Sequence, residues 1–189
     1  LENNNVKFDY WGSTDKFSKN NTLANRLINV DFNKAEKSNI ISTQFKLDRC
    51  LIPCDGFYFW KNFSKKEKTP YYFQYTKEKL IYCVGIRETF QDFSGNSFKY
   101  FYFLTDQSTE KWKKFTPKIP ILFDIRYLDI WFSKKTSINK ISSFINPIKF
   151  DDFNFYTVSP YFENNNRDDI SLINPSNNLN QYGNYSLFD

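Results

Sequence analysis

Arg49-Cys50-Leu51-Ile52-Pro53-Cys54-Asp55-Gly56-Phe57-Tyr58-Phe59-Trp60 is the stretch whose reading decides the fold. Apolar residues run to Pro53 and aromatic ones resume at Phe57, which reads as a strand, a tight turn and a second strand. Asp55-Gly56 predicts a hairpin, because a primed turn needs positive φ and Gly supplies it at no steric cost. Outward from here the same signal recurs. Strands are expected at 70–75, 80–86 and 98–105, with a charged loop tip from Ser64 to Lys68, and a last strand near 154–158.

Helical signals lie on either side of these strands. One helix is expected at 15–25, and a second, with Ala35, Ile40, Ile41 and Phe45 inward, before Arg49. A third should open near Ser108 or Thr109, with Glu110 in its first turn. A short helix carries Tyr127 to Phe132. Ile138, Ile141, Phe144 and Ile145 then repeat at helical spacing until Pro147 stops them. From Glu163 to the end the chain is rich in Asn, Ser and Asp and reads as irregular. The sum is α+β, a single domain over 1–189 without internal repeats.

Composition narrows the function less than the fold. The 189 residues suffice for a real core. Net charge is +5, a mild bias toward anionic partners such as single-stranded nucleic acid. No apolar run is long enough for a membrane helix and no signal peptide is visible, so a reducing intracellular compartment, cytoplasm or nucleus, is expected. There is no His, and Cys50, Cys54 and Cys83 form no C-x-x-C, so neither a zinc site nor another cofactor is expected. The three thiols read as small buried hydrophobes, with a disulfide between two of them as the lesser alternative. The aromatic strands Tyr71–Tyr75 and Phe98–Phe103 could stack bases. Core packing is the better default for them.

The ordered motifs carry a resemblance. Arg49–Trp60 resembles R-C-L-x-P-A-D-G-F-Y-E-W, the signature of the SRAP family (SOS-response-associated peptidases), which shield abasic sites in single-stranded DNA by crosslinking to them. Trp11-Gly12 with Leu27-Ile28-Asn29 resembles W-G-L…L-I-N-A-R, and Thr69–Phe73 resembles the Q-P-Y strand. Val84–Glu88 resembles A-G-L-W-E, Leu104-Thr105 the start of L-T-T-x-A-N, and Phe115–Pro120 falls at I-H-D-R-M-P. Tyr127–Phe132 resembles W-x-x-W-L, and Val158-Ser159 through Asp168-Asp169 and Leu172-Ile173 resembles V-S-x-x-V-N…D-D-x-x-L-I.

The resemblance implies curved, barrel-like antiparallel sheets flanked by short helices, and a site around an abasic sugar. Asn29 and Thr105 match family site residues. Phe59 stands at the acid–base Glu and Thr116 at the His that assists ring opening, and neither moves a proton near neutral pH. Asp31 replaces an Arg that meets phosphate, which predicts repulsion of the backbone. The DNA-binding candidates are Trp11, Gly12, Lys19, Arg26 and Lys118. The family reacts through an N-terminal cysteine's amine and thiol. Leu1 has no thiol, and the chain is read as lacking an N-terminal segment. The expected function is binding of single-stranded or abasic DNA in the DNA damage response, with crosslinking chemistry impaired. The alternative is a catalytically silent structural or protein-interaction domain.

Overall fold

The computed structural model describes residues 6–12, 28–33, 48–64, 68–77, 79–91, 94–163 and 166–177. The helices expected at 15–25 and before Arg49 lie outside these residues, as do Lys19 and Arg26. In chain order the strands are β1 (Tyr10–Trp11), β2 (Asn29–Asp31), β3 (Arg49–Cys54), β4 (Gly56–Asn62) and β5 (Lys68–Tyr75). Then follow β6 (Ile81–Gln91), β7 (Ser97–Gln107), β8 (Lys118–Phe123), β9 (Ile145–Pro147) and β10 (Phe153–Thr157). The described elements also include two one-turn helices, α1 (Leu128–Phe132) and α2 (Ile138–Ser142), and several 3-10 turns. The class is α+β, as expected.

The strands divide between two compact units. The first contains residues 1–54, 81–107 and 118–148, and the second 55–80, 108–117 and 149–189. Asp55-Gly56 is therefore not a hairpin. β3 pairs antiparallel with β6 in one sheet, while β4 pairs with β5 in another. Gly56 does not have positive φ, which among the described glycines belongs to Gly12 and Gly95. Gly56 is needed for close approach, since a Cβ there would lie 2.4 Å from the carbonyl oxygen of Phe73.

The first unit holds a seven-stranded sheet in the order β1-β7-β6-β8-β9, with β2 also on β7 and β3 on β6. It is mixed and does not close into a barrel: β1 and β2 run parallel to β7, whereas β3, β6, β7, β8 and β9 pair antiparallel. One face packs into a core of Val30, Leu51, Val84, Ile86, Leu104, Phe123, Trp131 and Ile141. Period-two alternation selects these side chains from the strands. Arg49 fastens the helical layer to the sheet. Its Nε and one terminal nitrogen donate to the Trp131 carbonyl at 2.9 and 2.7 Å, and the latter also to Ser133 at 2.9 Å. Those are the orphan carbonyls at the end of α1, which a cation suits.

The expected helix through Ile145 is shorter. Ser137 caps α2, accepting from the Lys140 amide, and the Phe144 amide then bonds to the Ile141 carbonyl in a tight turn. Ile145 to Pro147 leave as an edge strand on β8, where a proline is tolerated.

The second unit is a three-stranded antiparallel sheet in the order β10-β5-β4. Phe57, Phe73 and Phe155 are in register across it, and Trp112, Phe115 and Phe150 pack on that face. The helix expected at Ser108 is only a 3-10 turn, Trp112–Lys114. Trp112 is fully buried and Pro117 follows soon after, which leaves no length for a longer helix. Among the described residues no helix is long and apolar enough to cross a membrane.

Candidate functional site

In the first unit β7 brings Trp11, Gly12, Asn29 and Thr105 onto one strand edge. Trp11 stands beside Phe101, Asn29 beside Phe103, and Asp31 beside Thr105. Residues far apart in sequence thus become neighbours through parallel pairing. The Trp11 ring meets Phe103 edge-on at 5.4 Å and its indole N–H donates to the Ile28 carbonyl at 3.0 Å, which ties β1 to β2. Yet Trp11 keeps 58% of its surface exposed. An aromatic ring fixed in orientation and open to solvent can stack a base without sequence preference. Gly12 is buried with φ 67° and donates to the Phe101 carbonyl at 2.8 Å, so glycine is the residue that turns the chain there.

Two residues expected at the site face inward. The Thr105 hydroxyl is buried and donates to the Val30 carbonyl at 3.2 Å. Asp31 is 7% exposed, and its carboxylate accepts from the Asn33 amide and from Gln107 Nε2, each at 3.1 Å. A carboxylate so enclosed links β2 to β7 through Gln107. Lys118 begins β8, half-buried opposite Gln107.

Phe59 and Thr116 belong to the second unit. The Phe59 ring lies edge-on to Phe73 at 5.6 Å and to Trp112 at 5.7 Å. It is part of the aromatic core. The Thr116 amide donates to the Trp112 carbonyl at 3.0 Å, closing the 3-10 turn.

Sequence reasoning passed over a polar group in the first unit. Arg87 Nε contacts Asp9 Oδ2 at 2.7 Å, with the two side chains only 4% and 11% exposed. The signal was visible, since Arg87 is the lone cation in the apolar strand Ile81–Ile86 and its continuation. On the core face Tyr100 donates to Glu88 at 2.7 Å; burial, reinforced by Glu88, pushes the Tyr100 and Tyr102 hydroxyls far up, and both stay protonated. Burial likewise pushes the Cys50 thiol to about 12. The Cys83 thiol is raised by burial and then by the Cys54 thiol. The cysteines are free, as the favoured reading of the sequence had them.

The sequence as a whole matches the family described as SOS response associated peptidase (SRAP) over residues 2–165. The chain belongs to the SRAP family. Among its relatives is the abasic site processing protein YoaM of Bacillus subtilis, 22% identical over 89% of this chain and 75% of that one. The abasic site processing protein YoqW of the same organism is 24% identical over 89% of this chain and 71% of its own length. A crystal structure of a protein from Bacteroides thetaiotaomicron superposes with a TM-score of 0.75, at 16% identity, over 88% of this chain and 75% of the other. A protein from Bordetella bronchiseptica superposes with a TM-score of 0.64, at 13% identity, over 80% and 76%. The SRAP fold thus persists here at sequence identities too low to carry activity with it.

Proposed function

We propose that this SRAP protein binds single-stranded or abasic DNA along the β1–β2–β7 edge of its first unit, and that its crosslinking chemistry is impaired. The observation that carries the reading is Trp11, an indole held by Phe103 and the Ile28 carbonyl but exposed over more than half its surface. Asn29 stands two residues further along the same edge of β7 and offers an amide to a sugar or phosphate. The abasic site processing relatives support the choice of DNA over other anions, and the net charge of +5 agrees with it.

The impairment rests on Phe59 and Thr116. A ring lodged against Phe73 and Trp112 moves no proton, and each positioned acid or base is worth about two to four orders of magnitude. The experiment is a pair of assays on single-stranded DNA carrying one abasic site. Fluorescence anisotropy at two salt concentrations should show reversible, salt-weakened binding. A denaturing gel should show no heat-stable adduct. An adduct forming as fast as with an active relative would overturn the impairment, and absence of binding at low salt would overturn the DNA reading. A second reading, a silent scaffold, draws on the same Phe59: a site position absorbed into a hydrophobic core serves stability.

A further inference from the structure

The register of β7 places more than an aromatic ring on its outer face. β7 pairs with β6 without a bulge, from Gly85 opposite Phe103 to Gln91 opposite Ser97. Its side chains therefore alternate. Lys99, Phe101 and Phe103 share one face, while Tyr100, Tyr102 and Leu104 turn to the core. Trp11 stands beside Phe101 and its ring meets Phe103, so the indole is on the Lys99 face. Asn29, beside Phe103, is on it too. A cation, a ring and an amide thus follow one another along β7 at every second residue.

Lys99 is open to a ligand. It is exposed, and its cross-strand neighbour on β6 is the neutral Thr89. The adjoining carboxylates are engaged elsewhere. Asp9 meets Arg87 at 2.7 Å, and Glu88 accepts from Tyr100 on the core face. Among the described residues no carboxylate pairs with the Lys99 ammonium. An ammonium is a compact point charge with three donors, suited to a phosphate oxygen rather than to a base edge.

The spacing fits a single strand. Two residues of β7 advance about 7 Å, roughly twice the rise per nucleotide of a stacked strand. A strand whose bases are unstacked and splayed onto aromatic rings covers that step with one nucleotide. Contact at Lys99 and at Trp11 together therefore selects an extended strand over a helical one.

We propose that Lys99 takes the backbone phosphate of the nucleotide whose base stacks on Trp11, so that the strand runs along β7 toward Asn29. The proposal rests on the DNA-binding reading above, and the test separates the two. Binding of a single strand carrying one abasic site is measured on the intact chain at several salt concentrations between about 50 and 200 mM. Each phosphate contact on a single strand contributes about 0.7 to the slope of log K against log salt. Lys99→Gln should lose that increment, so that its deficit against the parent narrows about 2.6-fold across this range. Lys99→Arg should keep the parent slope. Lys135→Gln, at an exposed lysine in the turn after α1, should keep it too, which separates a contact from a general loss of charge. A single uncharged methylphosphonate linkage is then moved along the strand. One position should weaken the parent and leave Lys99→Gln unaffected. An unchanged slope in Lys99→Gln overturns the Lys99 contact and leaves the function standing. So does an equal loss in Lys135→Gln, or equal sensitivity of parent and Lys99→Gln to the methylphosphonate at every position. Absence of binding by the parent at low salt overturns the function and this contact with it.

Discussion

In the first unit Asp31, Arg49, Arg87 and Thr105 are buried, and each meets a specific polar partner. In the second, the interior around Phe73 is built of rings, with Phe59, Trp112, Phe115, Phe150 and Phe155 all in contact with it. Among its described residues the buried polar side chains are two small hydroxyls, Thr69 and Ser108. The first unit thus depends on pairings that fail when one partner is removed. The second depends on volume and shape, which tolerate exchange among apolar residues. Sites that handle polar ligands need groups of the first kind. The ring at position 59 lies in the unit whose interior is built of rings.

The largest test of this contrast is Arg87→Met. It leaves the Asp9 carboxylate enclosed without its cation, and the expected loss is about 3–5 kcal/mol by urea unfolding. Arg87→Met combined with Asp9→Leu should recover most of it, because no lone charge remains. A single variant as stable as the parent would break the comparison.

Phe59→Glu comes next, at about 2–3 kcal/mol near neutral pH, since a carboxylate would sit against Phe73 and Trp112. Desolvation raises the folded-state pKa of such a group above its unfolded value. The folded state then binds the extra proton, and stability falls as pH rises through the window between the two values. Unfolding of this variant should therefore become easier from pH 4 to 7, and a flat profile would mean that the side chain escapes to solvent. Phe73→Leu, which keeps an apolar group of similar reach, should cost only about 1–2 kcal/mol.

The fold was legible where pattern and physics agree locally. Ile81 to Ile86 and Phe98 to Thr105 read as strands and are strands. The error at Asp55-Gly56 has a definite cause. A tight turn and a sheet switch share the same residues, and only the tertiary approach of the Phe73 carbonyl tells them apart. Pro147 hid β9 because a proline that ends a helix also fits an edge strand. The site was half legible. Trp11 and Asn29 could be named from motifs. Their meeting on β7 depends on parallel pairing between distant segments, which no local pattern encodes. The burial of Asp31 was not legible, because sequence gives a charge but not its direction.

Thiol ionisation gives a smaller effect on the same axis. Burial lifts the Cys50 thiol from 9.0 to about 12. An acid whose pKa is raised by folding ionises first in the unfolded chain, so its contribution is intact below about pH 9 and is lost as pH climbs toward 12. Burial acts the same way on Cys83. Iodoacetamide should accordingly label half-exposed Cys54 first and reach Cys50 and Cys83 only on unfolding. Equal labelling of all three in the native protein would show the first unit to be looser than its packing implies.

Trp11→Ala should have the least effect on stability and still be the most telling variant for function. The ring gives up one edge contact with Phe103 and one hydrogen bond to a carbonyl at an exposed position, where water replaces the donor. Losses of that kind stay within about 1 kcal/mol. If the ring stacks a base, affinity for single-stranded DNA should fall about tenfold with the salt dependence unchanged, since no cation is removed. Trp11→Phe should retain most of the binding, because it keeps a stacking face and loses only the indole donor. A drop in stability as large as that of Arg87→Met would make Trp11 a structural anchor and erase the contrast between a polar, ligand-facing edge and an aromatic interior. Unchanged affinity in Trp11→Ala would move the DNA contact away from β1.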